Sequence, residues 1–336
     1  MVKIALIGYG YWGPNLLRNF YETPGCEILY VCDVDLTRLK SVRKRYPSVI
    51  LTTSYSDILA DGDIDAVIIA TPTRHHFELA RKALNEGKSV LVEKPMTLSS
   101  AEARELVELA RKNKKILMAD HTFLFTEAVR KLKQIVDSGI LGKIIYIDSV
   151  RVNLGLFQKD SNVIYDLATH DISILKYLLG RDPLSVSSMG VKYFSNQEEI
   201  AYLHFDYPGG ITAHLHVSWL SPLKIRRMMI VGTKKMVVYD DVELSEKIKI
   251  YDKGVLIDKE QVRIGYRSGD LLAPNLDIKE ALGVLASEFV LALEKKKDLV
   301  SSGEFGSEVV NILEKATVSA RTGKKILLKN GNSKKR

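Results

Sequence analysis

VKIALIGYGYWGPN, residues 2–15, is the stretch that decides the architecture. Val2–Ile7 is a short apolar run of the kind buried on both faces of a parallel sheet. Glycines follow at once with the spacing G-x-G-x-x-G. Gly8 permits a tight turn, Gly10 lets the backbone approach a pyrophosphate, and Gly13 lets the next helix pack close to the strand. Pro14 suits a first helical turn, where its missing N–H is not needed, and NLLRNFYE continues the helix. Such a helix start offers N–H groups and partial positive charge to phosphate oxygens. The glycine spacing alone arises by chance in flexible turns, but here a strand precedes it and a helix follows. The apolar run EILYVC then ends in Asp33, about twenty residues past Gly13, where a ribose-binding acid is expected. A carboxylate there accepts hydrogen bonds from ribose hydroxyls and repels a 2′-phosphate, so NAD is expected ahead of NADP. Tyr11 and Trp12, inside the loop, are candidates to line the cofactor site.

Working outward, strand-like and helix-like runs alternate through residue 120, which predicts a doubly wound Rossmann domain over 1–120. The fourth strand, Ala66–Ala70, closes in Thr71-Pro72-Thr73, and ligands of open parallel sheets bind beyond such carboxyl ends. His75 and His76 lead into the helix HFELARKALN, which Gly87 stops. A fifth strand, SVLV, delivers Glu93-Lys94-Pro95 to the same edge. A lysine there can hydrogen-bond a substrate hydroxyl or carbonyl and help move a proton; Glu93 can orient it or touch the nicotinamide end of the cofactor. Elsewhere Glu and Lys are ordinary surface residues, so the placement carries the argument.

Past His121 the pattern changes. A helix ending at Gly139 precedes a strand over KIIYIDSVRVN, then the helix pattern NVIYDLATHDISILKYLLG and a series of strands from 185 to about 262. This predicts an α+β domain over 121–330 with a large, mostly antiparallel open sheet, followed by a basic tail, 331–336. Asp166 and His170 lie i, i+4 on the predicted helix and therefore on one face. Imidazole titrates near neutrality and can take a hydroxyl proton, and a carboxylate can hold a hydroxyl; the bland alternative is a surface pair, with Asp171 as solvated decoration. His204, His214 and His216 sit on adjacent strands without a carboxylate or thiolate at matching spacing. A polar or subunit-contacting sheet face is expected there, and no metal.

The composition, 46% hydrophobic and 27% charged over 336 residues, is that of an ordinary globular chain of two domains. The net charge of +8 is scattered, and no basic stripe carries interleaved aromatics, so nucleic acid is not expected as a partner. The positive field favours an anionic small substrate. Cys26 and Cys32 suggest no metal site or disulfide framework. A core strand from the third residue predicts no cleaved leader, and no apolar run approaches a membrane span, so a cytoplasmic protein is expected.

With GYGYWG (8–13), ATPTRHHFELA (70–80), VLVEKP (90–95) and NVIYDLATHDISIL (162–175) in view, nearly the whole chain resembles the Gfo/Idh/MocA family, named for glucose–fructose oxidoreductase, inositol dehydrogenase and a rhizopine-catabolism protein. The resemblance implies a Rossmann domain joined to a C-terminal domain whose open sheet makes homodimer or homotetramer contacts. It implies NAD(P)-dependent hydride transfer at one carbon of a sugar, nucleotide sugar or cyclitol. By resemblance Lys94 contacts the reacting hydroxyl, His170 is the general base and Asp166 helps bind substrate. Thr71, Pro72, Thr73, His76, Glu93 and Asp33 would line the cofactor site. Thr73 stands where asparagine is frequent, and His121-Thr122-Phe123-Leu124 replaces a familiar Phe-Asn-Arg-Arg-like segment. The long stretches around 8–20 and 151–175 look most like nucleotide-sugar 3-dehydrogenases, including those acting on UDP-N-acetyl-hexosaminuronate. Arg151, Asn153 and Asn162, with Arg226 and Arg227, are then candidate substrate contacts. Two alternatives stand beside this reading: an NAD-assisted glycosidase with no net redox change, and a non-catalytic NAD-binding regulator.

Overall fold

The computed structural model describes residues 1–155, 157–158, 160–258, 263–277, 279–295 and 298–328. The expected basic tail lies outside these residues. Two compact units emerge, one formed by Met1–Phe125 with Lys279–Asn311, the other by Thr126–Ile278 with Ile312–Arg336.

The first unit is built on β1 (Val2–Ile7), β2 (Cys26–Cys32), β3 (Ile50–Thr52), β4 (Ala66–Ile69), β5 (Ser89–Glu93) and β6 (Leu117–Asp120). They form one sheet in the order β3-β2-β1-β4-β5-β6, every pairing parallel. The order reverses between β1 and β4, which is where ligands of doubly wound sheets bind. Helices α1 (Gly13–Tyr21), α2 (Leu36–Arg45), α3 (Tyr55–Ala60), α4 (His76–Asn85) and α5 (Ser100–Lys112) connect the strands. Their starts are written in short polar side chains: Asp35, Ser54 and Ser99 each accept a backbone N–H of the first turn. The core strands are apolar because both faces are covered; Ile4, Leu6, Val67, Ile69, Val90 and Val92 are all buried.

The expected boundary after residue 120 differs from this division, because a later segment returns to the first unit. Glu280 accepts from Arg18 at 2.5 and 2.9 Å and from Asn19 at 3.0 Å. Phe289, in α8 (Ala281–Lys295), meets Phe20 edge to face at 6.2 Å, and Ser301 Oγ donates to the Ala119 carbonyl at 2.6 Å. These contacts join residues far apart in sequence and leave no local pattern to read.

The second unit contains α6 (Glu127–Asp137), α7 (Thr169–Leu179) and a nine-stranded sheet. Its strands are β7 (Ile144–Leu154), β8 (Ser185–Val191), β9 (Ile200–Tyr207), β10 (Ile211–Ser218), β11 (Leu220–Gly232), β12 (Met236–Asp240), β13 (Ile248–Asp258), β14 (Arg263–Leu272) and β15 (Ile326–Leu327). They run in the order β14-β13-β12-β11-β7-β10-β9-β8-β15, antiparallel except where β10 lies parallel to β7. A period of two is clear in β9: Ala201, Leu203, Phe205 and Tyr207 are buried while Tyr202 is half exposed. On the other face His204 meets its register partner His214 at 2.8 Å and Asp206 at 3.1 Å, and Tyr202 stacks on His216. No cluster of three or more His, Cys, Asp or Glu suited to a metal occurs among the described residues. No described helix is long and apolar enough to cross a membrane.

Candidate functional site

In the first unit the glycine loop closes against β4. Gly8 has φ +96°, and a Cβ added there would lie 2.7 Å from the Ala70 carbonyl oxygen; one added at Gly13 would lie 2.5 Å from the Gly8 carbonyl oxygen. Both positions therefore require glycine, one for conformation as well as space and the other for helix–strand approach. At Gly10 an added Cβ would meet, among the described residues, only the Arg38 guanidinium at 3.6 Å, so the loop is open on that side. Among the described residues no side chain caps the start of α1. Tyr11 and Trp12 stand out from the loop, exposed and edge to face at 5.6 Å.

Asp33 is buried at the end of β2. Its Oδ2 accepts the Tyr9 N–H at 2.6 Å and its Oδ1 accepts the Asp35 N–H at 2.8 Å, so the carboxylate also fixes the turn. Arg38 Nη1 stands 3.5 Å from it, a cation that the sequence reading did not single out. Thr71 Oγ1 is a buried hydroxyl with no partner among the described residues, whereas Pro72 is exposed and Thr73 starts a short 3₁₀ turn. An open loop, an uncapped helix start, a ribose-side acid and an orphaned hydroxyl fit a dinucleotide.

His76 is fully buried. Its Nδ1 lies 3.0 Å from the Pro95 carbonyl and its Nε2 2.8 Å from the Thr71 carbonyl, which ties the ends of β4 and β5 together. Burial lowers its pKa against the pull of the two carbonyls. It is a strut behind the edge more than a lining residue. Of residues 89–97, only Lys94 reaches solvent. The strand that is buried throughout thus presents one ammonium at its carboxyl end. Glu93, beside it, is buried, and its Oε2 accepts the Lys94 N–H at 3.2 Å. Burial, and then the charge of Asp120, push the Glu93 carboxyl well above its ordinary range. Burial lowers the His121 imidazole to about 3, with the nearby Lys94 charge adding to the effect. Both cysteine thiols are held up by burial, Cys26 to about 12 and Cys32 to about 11, and are inert as nucleophiles.

In the second unit the expected α-helix opens differently. Residues Ile164–Ala168 form a π-turn before α7 begins at Thr169. Such turns insert a residue and re-aim side chains. Within 162–175 all residues are buried except Asp166 and His170. Trp219, itself buried, donates its indole N–H to Asp166 Oδ2 at 2.9 Å. No sequence signal marked this partner.

Three polar residues of this unit lie inside the protein. Asp171 is not solvated: it is buried, accepts from Arg151 Nε at 2.6 Å and from Ser149 Oγ at 2.9 Å. Arg151, 3% exposed, is committed to that pair and is a core residue in place of the expected substrate contact. Asn162 is also internal; its Oδ1 accepts the Tyr165 N–H at 3.0 Å and its Nδ2 donates to Glu198 at 2.7 Å, anchoring the π-turn. Asn153 is half-buried on β7. Arg226 and Arg227 pair with Asp241 and Asp240 at 3.2 and 2.8 Å.

Residues 2–121 match a family model described as an oxidoreductase family with an NAD-binding Rossmann fold, and residues 129–238 match a GFO/IDH/MocA C-terminal domain. The chain is 31% identical over 235 residues to the scyllo-inositol 2-dehydrogenase (NAD(+)) of Bacillus subtilis, an alignment covering 66% of this chain and 68% of that protein. It is 25% identical to an uncharacterized oxidoreductase of Streptococcus pneumoniae over 62% of this chain, spanning only 60% of that relative's length. A solved NAD-binding protein from Listeria innocua has the same fold, with TM-score 0.82 and 21% identity, covering 97% of this chain and 96% of its own.

Proposed function

The chain belongs to the Gfo/Idh/MocA family of NAD-binding oxidoreductases, and from that membership we propose that it is an NAD-dependent dehydrogenase acting on a CH–OH group of a sugar, nucleotide sugar or cyclitol. One observation carries the reading. In two stretches that are otherwise buried, the side chains that reach solvent are Lys94 in one and Asp166 with His170 in the other. Apolar packing has no use for these groups, and each suits the handling of a hydroxyl.

The loop from Gly8 to Gly13, the start of α1 and Asp33 hold the dinucleotide, with Tyr11, Trp12 and Thr71 along it. Bound NAD supplies the hydride acceptor. His170 takes the hydroxyl proton as the carbon is oxidised, for which an imidazole reaching solvent near neutral pH is suited. Lys94 donates to a substrate oxygen and stabilises negative charge as it develops. Asp166, held by Trp219, receives a neighbouring hydroxyl of the substrate.

The test is NADH absorbance with NAD and a panel of UDP-sugars, free hexoses and inositols, with sugar products analysed in parallel. NADH formed with one substrate supports the reading. Lys94→Ala should then lower turnover by about 10²- to 10⁴-fold, the usual contribution of acid–base groups, while NAD affinity stays within about twofold. Normal turnover by that variant removes the role given to Lys94. Sugar release without net NADH would point to transient oxidation during glycoside cleavage.

A further inference from the structure

Glu93 and Asp120 are register partners at the carboxyl ends of the neighbouring parallel strands β5 and β6, and both are buried. Their carboxyl groups lie within hydrogen-bonding reach of each other. The outer oxygens are accounted for: Asp120 Oδ1 accepts Thr122 Oγ1 at 2.6 Å, and Glu93 Oε2 accepts the Lys94 N–H. Asp120 Oδ2, however, is fully buried and receives no hydrogen bond from any described N–H or O–H group. A buried carboxylate oxygen without a donor is costly, and two adjacent buried carboxylates repel. A proton on Glu93 removes both difficulties, because the acid O–H then donates to Asp120. Lys94 is the cation that acts on both groups. His121, next along the chain, has no hydrogen-bond partner at either ring nitrogen among the described residues and stays neutral.

We propose that Glu93 and Asp120 hold one proton between them and so place a single negative charge beside Lys94, and that this charge biases the site toward the oxidised, cationic nicotinamide over the reduced, neutral one. The second half rests on the reading that the nicotinamide end of NAD lies at the carboxyl end of β5. The pair sets charge and position; it need not touch the reacting atoms. Burial raises the affinity of both carboxyls for the proton, in agreement with the geometry.

Infrared difference spectroscopy of the intact protein tests the first half without any substrate. At neutral pH the wild type should show the carbonyl stretch of one buried protonated carboxyl group. Glu93→Gln and Asp120→Asn should each abolish it, because the remaining acid ionises and keeps the charge. Absence of the band in wild type, or its survival in both variants, overturns the shared proton. The second half is read from dissociation constants of NAD and NADH by fluorescence. Each single variant should move their ratio by no more than about twofold, and the double variant, which loses the charge, by about tenfold toward NADH. Additive changes or an unmoved double variant overturn the redox bias. Failure of either nucleotide to bind wild type would instead remove the proposed function, leaving the infrared result to stand alone.

Discussion

At the scale of single residues, His121 makes the clearest claim on measurement. It is 1% exposed and titrates near 3 in the folded protein, against an ordinary value near 6.5 in the unfolded chain. The unfolded state therefore binds a proton that the folded state refuses. Stability supplied by neutral His121 is complete above about pH 6.5 and declines as pH falls toward 3, by about 1.4 kcal/mol per pH unit at most. His76, also lowered by burial, acts in the same direction. Glu93 and Asp120, with raised values, act in the opposite one: they favour the folded state at low pH and lose that contribution as pH rises. Urea midpoints between pH 4 and 7 should fall more steeply for wild type than for His121→Leu, and equal slopes would refute this account. The sequence placed Glu93, Lys94 and Asp33 at strand ends, since Glu93 closes its strand and the other two directly follow theirs. It did not disclose that Asp120 stands beside Glu93, because only the β5–β6 register brings them together. The burial of Arg151 and Asp171 was hidden for the same reason: each is charged, and only the tertiary pairing accounts for it. Removing one partner of that pair should cost about 3–5 kcal/mol.

At the scale of elements, the glycine loop and the alternating strands and helices were legible because their causes are local: a tight turn, a cap, a period of two or 3.6. The segment before α7 was legible in part. Helical spacing brought Asp166 and His170 onto one face, but the π-turn over Ile164–Ala168 has no pattern of its own. It is held from outside, by Asn162 and Glu198 at its start and by Trp219 at Asp166. Trp219→Phe keeps an aromatic ring in place and removes the indole donor. If the N–H orients Asp166 toward substrate, KM should rise about tenfold, in keeping with the roughly 1.5 kcal/mol of a hydrogen bond to a charged group, while the NAD dissociation constant is unchanged. Steady-state kinetics with an accepted substrate decide it. An unchanged KM in Trp219→Phe alongside a raised one in Asp166→Asn would reduce the indole contact to packing.

At the scale of the whole molecule the unread feature was the return of Lys279–Asn311 to the first unit, which composition and periodicity cannot register. What composition does register is charge. The chain carries 49 Lys and Arg against 41 Asp and Glu, a net +8. Such a field acts over roughly 30 Å at 0.01 M salt and roughly 8 Å at 0.15 M. It accelerates encounter with anions and leaves neutral polyols unaffected. Many of the basic side chains are already paired, as Arg226 and Arg227 are with Asp241 and Asp240, so the attraction is a property of the sum and not of one patch. The dependence on salt therefore separates the candidate substrate classes. For a nucleotide sugar, kcat/KM should fall several-fold between those two salt concentrations at saturating NAD. For inositol or a free hexose it should stay level. A nucleotide sugar whose kcat/KM is indifferent to salt would mean that its diphosphate gains nothing from the positive surface, and the argument from net charge to an anionic substrate would then fail.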